Sequence, residues 1–202
     1  MKIYKEIEQG TPEWFAVRKL KLTGSHATAI ANQGAGLKTY VNEIILNLFV
    51  EKEYYTNSDI ERGNNLETIA RAKYELENNV TVEEVGFIEY TEFSGGSTDG
   101  MVGVDGLIEI KARNNKIHYG LIVLNDNVDS STIWQIQFYL LITCRKWCDF
   151  ISYNPNFRQS IFVKRIYPDI EKMAKIEAGI KKGTEMLKEL LQNEKVQNEL
   201  KK

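Results

Sequence analysis

The feature that most constrains the fold of this 202-residue chain is a turn. Asp105-Gly106 stands between two apolar runs, Met101-Val102-Gly103-Val104 and Leu107-Ile108-Glu109-Ile110. An Asp-Gly pair flanked in this way predicts a two-residue β-hairpin. Successive side chains of a strand point to opposite faces, so Glu109 and Lys111 share one face and Ile110 takes the other. A carboxylate beside an ammonium on one strand face suits phosphodiester hydrolysis. The carboxylate can bind a hard divalent cation, and the lysine can orient or help deprotonate the attacking water. Asp99, in Ser97-Thr98-Asp99-Gly100 on the partner strand, is the candidate bridging ligand.

This reading carries a geometric condition. A two-residue turn sets Val104 opposite Leu107 and Val102 opposite Glu109. Asp99 then falls opposite Ala112 and points away from Glu109. The two carboxylates converge only where the ladder ends or bulges between them, and Gly100 and Gly103 are the residues that permit it. Taken alone, a Glu-x-Lys on an amphipathic strand is more often a solvated face.

The surrounding pattern supplies the rest of the fold. Thr11-Pro12-Glu13 predicts a helix start, with Thr as N-cap and Pro at the first position. Trp14, Val17 and Arg18 follow on one face. Thr23-Gly24-Ser25 breaks the chain, with Ser25 expected to cap a second helix through Ala27, Ile30 and Ala31. Residues 38–50 predict a third helix. Over 61–78, Leu66, Ile69, Ala70 and Tyr74 form a helical stripe with Glu67 at its edge. Residues 80–92 and 97–112 read as strands. Residues 132–143, apolar apart from Gln135 and Gln137, read as a buried helix. Strands follow at 150–153 and 160–163, then a long helix over 169–200 with Gly179 or Gly183 as its break points. This order predicts one α/β (α+β) domain over 1–202, a mixed central sheet flanked by helices.

Composition excludes several classes. No apolar run approaches the ~18 residues of a membrane span. The first residues hold no apolar stretch of signal-peptide length, which predicts a cytoplasmic protein. Two cysteines, Cys144 and Cys148, are too few for a disulfide framework or a four-Cys cluster within one chain. The net charge of −2 speaks against nucleic acid at first sight. The acidity is concentrated, however: residues 51–92 carry four basic and eleven acidic side chains. The remainder is mildly basic, which permits a basic groove.

Four blocks then carry a resemblance. They are Glu8-Gln9-Gly10-(x3)-Trp14-(x3)-Arg18-(x4)-Thr23-Gly24-Ser25; Gly63-(x3)-Glu67-(x2)-Ala70-Arg71-(x2)-Tyr74-Glu75; Ser97-Thr98-Asp99-Gly100 with Leu107-Ile108-Glu109-Ile110-Lys111; and Gln135-Ile136-Gln137 with Arg145-Lys146-Trp147-Cys148-Asp149-Phe150. In this order they resemble the lambda-exonuclease family of phage alkaline exonucleases, also called YqaJ-like viral recombinases, within the PD-(D/E)XK nuclease superfamily. The blocks span residues 8–153.

The resemblance implies a restriction-endonuclease-like core and an Mg2+-dependent 5′→3′ exonuclease on double-stranded DNA ends. It would release 5′-mononucleotides and leave 3′ overhangs for single-strand-annealing recombination. Asp99, Glu109 and the Ile110 carbonyl would hold the metal, with Glu67 completing a second Mg2+ site and Mn2+ substituting. Lys111 would help activate water. Gln137, with Gln135 close by, would position the water or the scissile phosphate. Arg18, Ser25 and Ser97 would form a pocket for the terminal 5′-phosphate. A homotrimeric ring and a single-strand annealing protein are the implied partners. The family often has Pro where Thr98 stands, and residues 155–202 carry no transferable function. The alternatives are an endonuclease with the same core and a non-catalytic DNA-end-binding protein.

Overall fold

The computed structural model describes the backbone of residues 1–50 and 58–200 and the side chains of all of these except 58–64. Residues 51–57, where the acidic stretch begins, lie outside the described residues, as do 201–202. The elements in chain order are β1 (Lys2–Tyr4), α1 (Pro12–Arg18), a 3-10 turn (Gly24–His26), α2 (Ala27–Asn32), α3 (Ala35–Leu46), α4 (Ser58–Asn78), β2 (Val82–Glu83), β3 (Phe87–Thr91), β4 (Ser94–Gly96), β5 (Gly100–Val102) and β6 (Gly106–Ala112). They continue with α5 (Asn115–Val123), α6 (Ser130–Thr143), β7 (Trp147–Tyr153), β8 (Ile161–Ile166), α7 (Ile170–Gln192) and α8 (Glu194–Leu200).

Polar caps start the helices where an orphan N–H must be satisfied. Thr11 Oγ1 accepts from the Trp14 amide at 3.3 Å, and Asp129 Oδ1 accepts from the Thr132 amide at 2.9 Å. Ser25 caps nothing, because it lies inside the 3-10 turn and α2 begins only at Ala27. The third helix runs earlier than its apolar pattern suggests, ending at Leu46. The long C-terminal helix breaks at Asn193, not at Gly179 or Gly183. Gly179 is interior because a Cβ there would lie 1.9 Å from the Ile30 carbonyl oxygen, so α7 needs the glycine to approach α2.

β1, β3 and β4 form a small antiparallel sheet. The main sheet is mixed, in the order β2-β5-β6-β7-β8, with only β6 and β7 parallel. Helices cover both faces. Leu107, Cys148 and Phe150 pack toward the core that includes α2, α3, α6 and α7. Ile108, Ile110 and Ile151 pack on the opposite side with Ala70 and Tyr74 of α4. Among the described residues no helix is long and apolar enough to cross a membrane.

The hairpin departs from the two-residue turn. Its ladder pairs Gly100 with Ile108, Met101 with Leu107 and Val102 with Gly106, so Gly103-Val104-Asp105 is the loop. Tertiary contacts override the local Asp-Gly preference. Arg145 donates to the carbonyls of Gly103 and Gly106 at 2.8 and 2.7 Å, and the Lys146 amide donates to Asp105 O at 2.8 Å. Gly106 is inside β6, where a Cβ would meet the Trp147 ring at 2.2 Å. The pairing is displaced by an odd number of residues, which flips the facing side chains. Continuing this register sets Asp99 opposite Glu109 rather than Ala112. The ladder itself ends at Gly100, one residue short of Asp99, and in this register the two carboxylates share a face without any bulge.

Candidate active site

Glu109 lies on the central strand β6 and is wholly buried beside Phe150 of β7. The Lys111 ammonium lies 2.6 Å from its Oε1, and no other donor among the described residues reaches either carboxylate oxygen. Asp99, just past the end of β5, accepts from the Ile110 amide at 2.6 Å through Oδ2. Within a strand residue the N–H and C=O face the same edge, so the Ile110 carbonyl also faces the Asp99 side.

Electrostatics tie these groups to Glu67. Burial, then the Asp99 charge, push Glu109 up to about 8. The same two causes push Glu67 up to about 7. Burial also raises Asp99, against the pull of Lys111 and the Ile110 amide. Burial draws Lys111 down, but Glu109 and Asp99 outweigh it and hold the ammonium above its ordinary value. Glu67 reaches the site from α4 and pairs with Arg71 at 3.0 Å, while Arg71 pairs in turn with Glu84 at 2.7 Å.

This donor set fits a hard divalent cation. It is all oxygen, and it contains a buried carboxylate with no donor but Lys111 among the described residues, whose charge its acidic neighbour resists. Asp99, Glu109 and the Ile110 carbonyl are the residues that would hold it, with Glu67 near enough for its charge to be felt by both carboxylates. Among the described residues no three acidic, His or Cys side chains close to metal-binding spacing, so the carbonyl and solvent would complete the shell.

The phosphate-side residues are less uniform. Arg18 lies over the Trp14 ring at 4.1 Å and has no carboxylate partner among the described residues. Burial draws its guanidinium pKa down, against Tyr139 and Tyr40. Ser25 is exposed, 3.1 Å from Thr23 Oγ1 and 3.2 Å from His26 Nδ1. His26 stacks flat on Tyr40 at 3.7 Å. Arg18, Ser25, His26 and Tyr40 line a cleft of about 910 Å³. Ser97 does not join them as a free donor: its hydroxyl donates to Gly86 O at 2.6 Å and accepts from Trp14 Nε1 at 2.9 Å.

The two glutamines separate. Residues two apart on an α-helix point about 200° apart, so only one can face the carboxylates. Gln137 is spent on the β8–α7 connection, donating to Tyr167 O at 2.8 Å and accepting from the Asp169 amide at 2.7 Å. Gln135 instead donates to the Tyr139 hydroxyl at 3.3 Å. Tyr139 is buried in the field of Glu109, Asp99 and Arg18, which places the Gln135 amide on the site side of α6. Tyr139 carried no sequence signal of function. The glycines it needs, Gly24 and Gly96, were its trace: a Cβ at either would lie 2.7 Å from its Cε1.

A five-stranded mixed sheet flanked by helices is the fold this chain shares with solved alkaline exonucleases. More narrowly, the YqaJ-like viral recombinase domain model matches residues 13–146, and the chain belongs to that family. An alkaline exonuclease (LHK-Exo) from Laribacter hongkongensis is 32% identical with a TM-score of 0.80, over 93% of this chain and 95% of that one. The same enzyme in complex with dAMP matches equally well. A phage-related exonuclease from Haemophilus somnus 129PT shares the fold, with a TM-score of 0.68 at 17% identity over 85% of this chain and 95% of that one. No curated protein matches the chain.

Proposed function

We propose that this nuclease is a divalent-cation-dependent 5′→3′ exonuclease acting on double-stranded DNA ends, releasing 5′-mononucleotides and leaving 3′ overhangs. The observation that carries the reading is Glu109: a fully buried carboxylate that meets only the Lys111 ammonium, at 2.6 Å on one oxygen, among the described residues, and lies beside a second acid, Asp99. A structural carboxylate in such a place would have hydrogen bonds on both oxygens and no second acid beside it.

Mg2+, or Mn2+ in its place, supplies Lewis-acid stabilisation of phosphoryl oxygens when bound, and two such ions per site fit the family pattern. Asp99, Glu109 and the Ile110 carbonyl hold the charge, and Glu67 supports it from α4. Lys111, kept protonated by its acidic neighbours, orients the attacking water and the scissile phosphate. Gln135 fills the role expected of Gln137, because its amide faces the site. Arg18, with no carboxylate partner among the described residues, offers its fork to the terminal 5′-phosphate beside the exposed Ser25 hydroxyl. Such a pocket favours a duplex end over an internal site. A homotrimeric ring and delivery of the overhang to an annealing protein follow from the resemblance, and a monomeric sedimentation mass would remove the ring.

The test is nucleotide release, with and without Mg2+, from linear 5′-phosphorylated duplex and from covalently closed circular DNA. Release of mononucleotides from the linear form alone, and only with Mg2+, is expected. Cutting of both forms would make the protein an endonuclease. Binding to ends without cutting would make it an end-binding protein.

A further inference from the structure

The N-terminal segment does more than present Arg18. Trp14 Nε1 donates to both Gly86 O and Ser97 Oγ at 2.9 Å, and its ring carries the Arg18 guanidinium at 4.1 Å. Gln9 Nε2 donates to Val85 O at 3.1 Å and Thr98 O at 3.2 Å. Ser97 and Thr98 immediately precede Asp99, whose carboxylate is set against the Ile110 amide. Two side chains from one segment therefore hold the two residues before the candidate metal ligand. One of the two also supports the candidate phosphate ligand. The loop between β4 and β5 has no ladder partner of its own at residues 97–99, so these bonds, with those from Ser97 Oγ to Gly86 O and from the Ile110 amide to Asp99, fix it.

We propose that Trp14, with Gln9, is a positioning residue that links Arg18 to the Asp99 loop, so that binding of a 5′-phosphate and binding of the cation strengthen one another. This rests on the roles given above to Arg18 and Asp99. The physical basis is that one rigid indole contacts both partners. A phosphate that orders Arg18 on the ring also orders the loop, and a cation that orders the loop holds the ring under Arg18. Such coupling is reciprocal by linkage. The indole N–H and the Gln9 amide touch neither phosphate nor cation.

The experiment is Mn2+ binding to the full chain, followed by the electron paramagnetic resonance of free Mn2+, alone and with deoxyadenosine 5′-monophosphate or unphosphorylated deoxyadenosine. In the unaltered protein the 5′-phosphate should tighten Mn2+ binding by about fivefold or more, a normal size for coupled sites, and the nucleoside should not. Trp14→Phe keeps a ring for Arg18 but loses the N–H, and should reduce the gain to about that of direct phosphate–Mn2+ contact alone, as Arg18→Ala does. Gln9→Ala, at an exposed position, should weaken Mn2+ binding itself and serves if Trp14→Phe fails to fold. An undiminished gain in Trp14→Phe, or unchanged Mn2+ affinity in Gln9→Ala, overturns the link and leaves the site assignment standing. No Mn2+ binding by the unaltered protein overturns the site assignment and the link with it.

Discussion

Asp149 and Glu109 lie on neighbouring strands of one sheet, β7 and β6, with 2% and 0% exposure. Their surroundings are opposite. Asp149 faces α4 and is saturated: Arg165 grips it with two bonds of 2.8 Å, and the Tyr74 hydroxyl adds one of 2.7 Å. Arg165 in turn lies over the Trp147 ring at 3.7 Å. Glu109 faces α6 with only the Lys111 ammonium against one oxygen among the described residues and with a second acid, Asp99, beside it. Burying a charge is costly unless it is paired and hydrogen-bonded. The protein meets that requirement in full at Asp149 and only in part at Glu109. The first arrangement holds the sheet together; the second suits the cation proposed for it.

The largest effect that could break this contrast is on catalysis. Asp99→Ala or Glu109→Gln should lower nucleotide release by more than the ~10–100-fold typical of groups one shell removed from a metal. Asp149→Asn should leave release within a fewfold. Equal losses at both sites would show that the two carboxylates do not differ in kind.

Stability should respond in the reverse sense. Asp149→Ala strands the Arg165 fork and the Tyr74 hydroxyl and should cost about 1.5–3 kcal/mol, measured by denaturant unfolding. Glu109→Gln should raise the stability of the cation-free protein at alkaline pH. The sign follows from linkage. Glu109 rises from an ordinary 4.5 to about 8 on folding, so the folded state binds the proton more tightly. Its contribution is fully present below the unfolded value and is lost as pH rises through the folded value. Thermal stability in a chelator should therefore fall between about pH 5 and 8, with Glu67, raised to about 7, acting in the same direction. Glu109→Gln should flatten that slope, and a slope that survives both Glu109→Gln and Glu67→Gln would deny the carboxylates this role.

The smallest effects sharpen the same comparison on α6. Gln137→Ala removes the bonds to the Tyr167 carbonyl and the Asp169 amide and should cost about 0.5–1.5 kcal/mol of stability for each. Gln135→Ala should leave the melting temperature nearly unchanged and lower turnover. The opposite pattern would return the role to Gln137.

Part of the candidate site was legible. Alternation put Glu109 and Lys111 on one face, and helical period put Glu67 near Ala70 and Tyr74, which are buried, though Ile69 of the expected stripe is 51% exposed. The choice between Gln135 and Gln137 was not legible, since both lie on a helix buried nearly all round and its rotation is set by packing. The short strands β1 and β4 gave no signal of their own. They are three-residue segments whose pairing is decided by β3.

The sequence by itself indicated the acid–lysine pair on one strand face, the cap that starts α1, and most of the helices and strands in order, though not β1, β4 or α5. These depend on contacts within a few residues. Only the tertiary structure decided that Asp99 meets Glu109. Arg145 and the Lys146 amide, some forty positions along the chain, hold the hairpin loop in a register that Asp105-Gly106 alone would not choose. Those hydrogen bonds and the packing of Trp147 on Gly106 outweigh a turn preference, and the odd displacement of the strands brings the two carboxylates together.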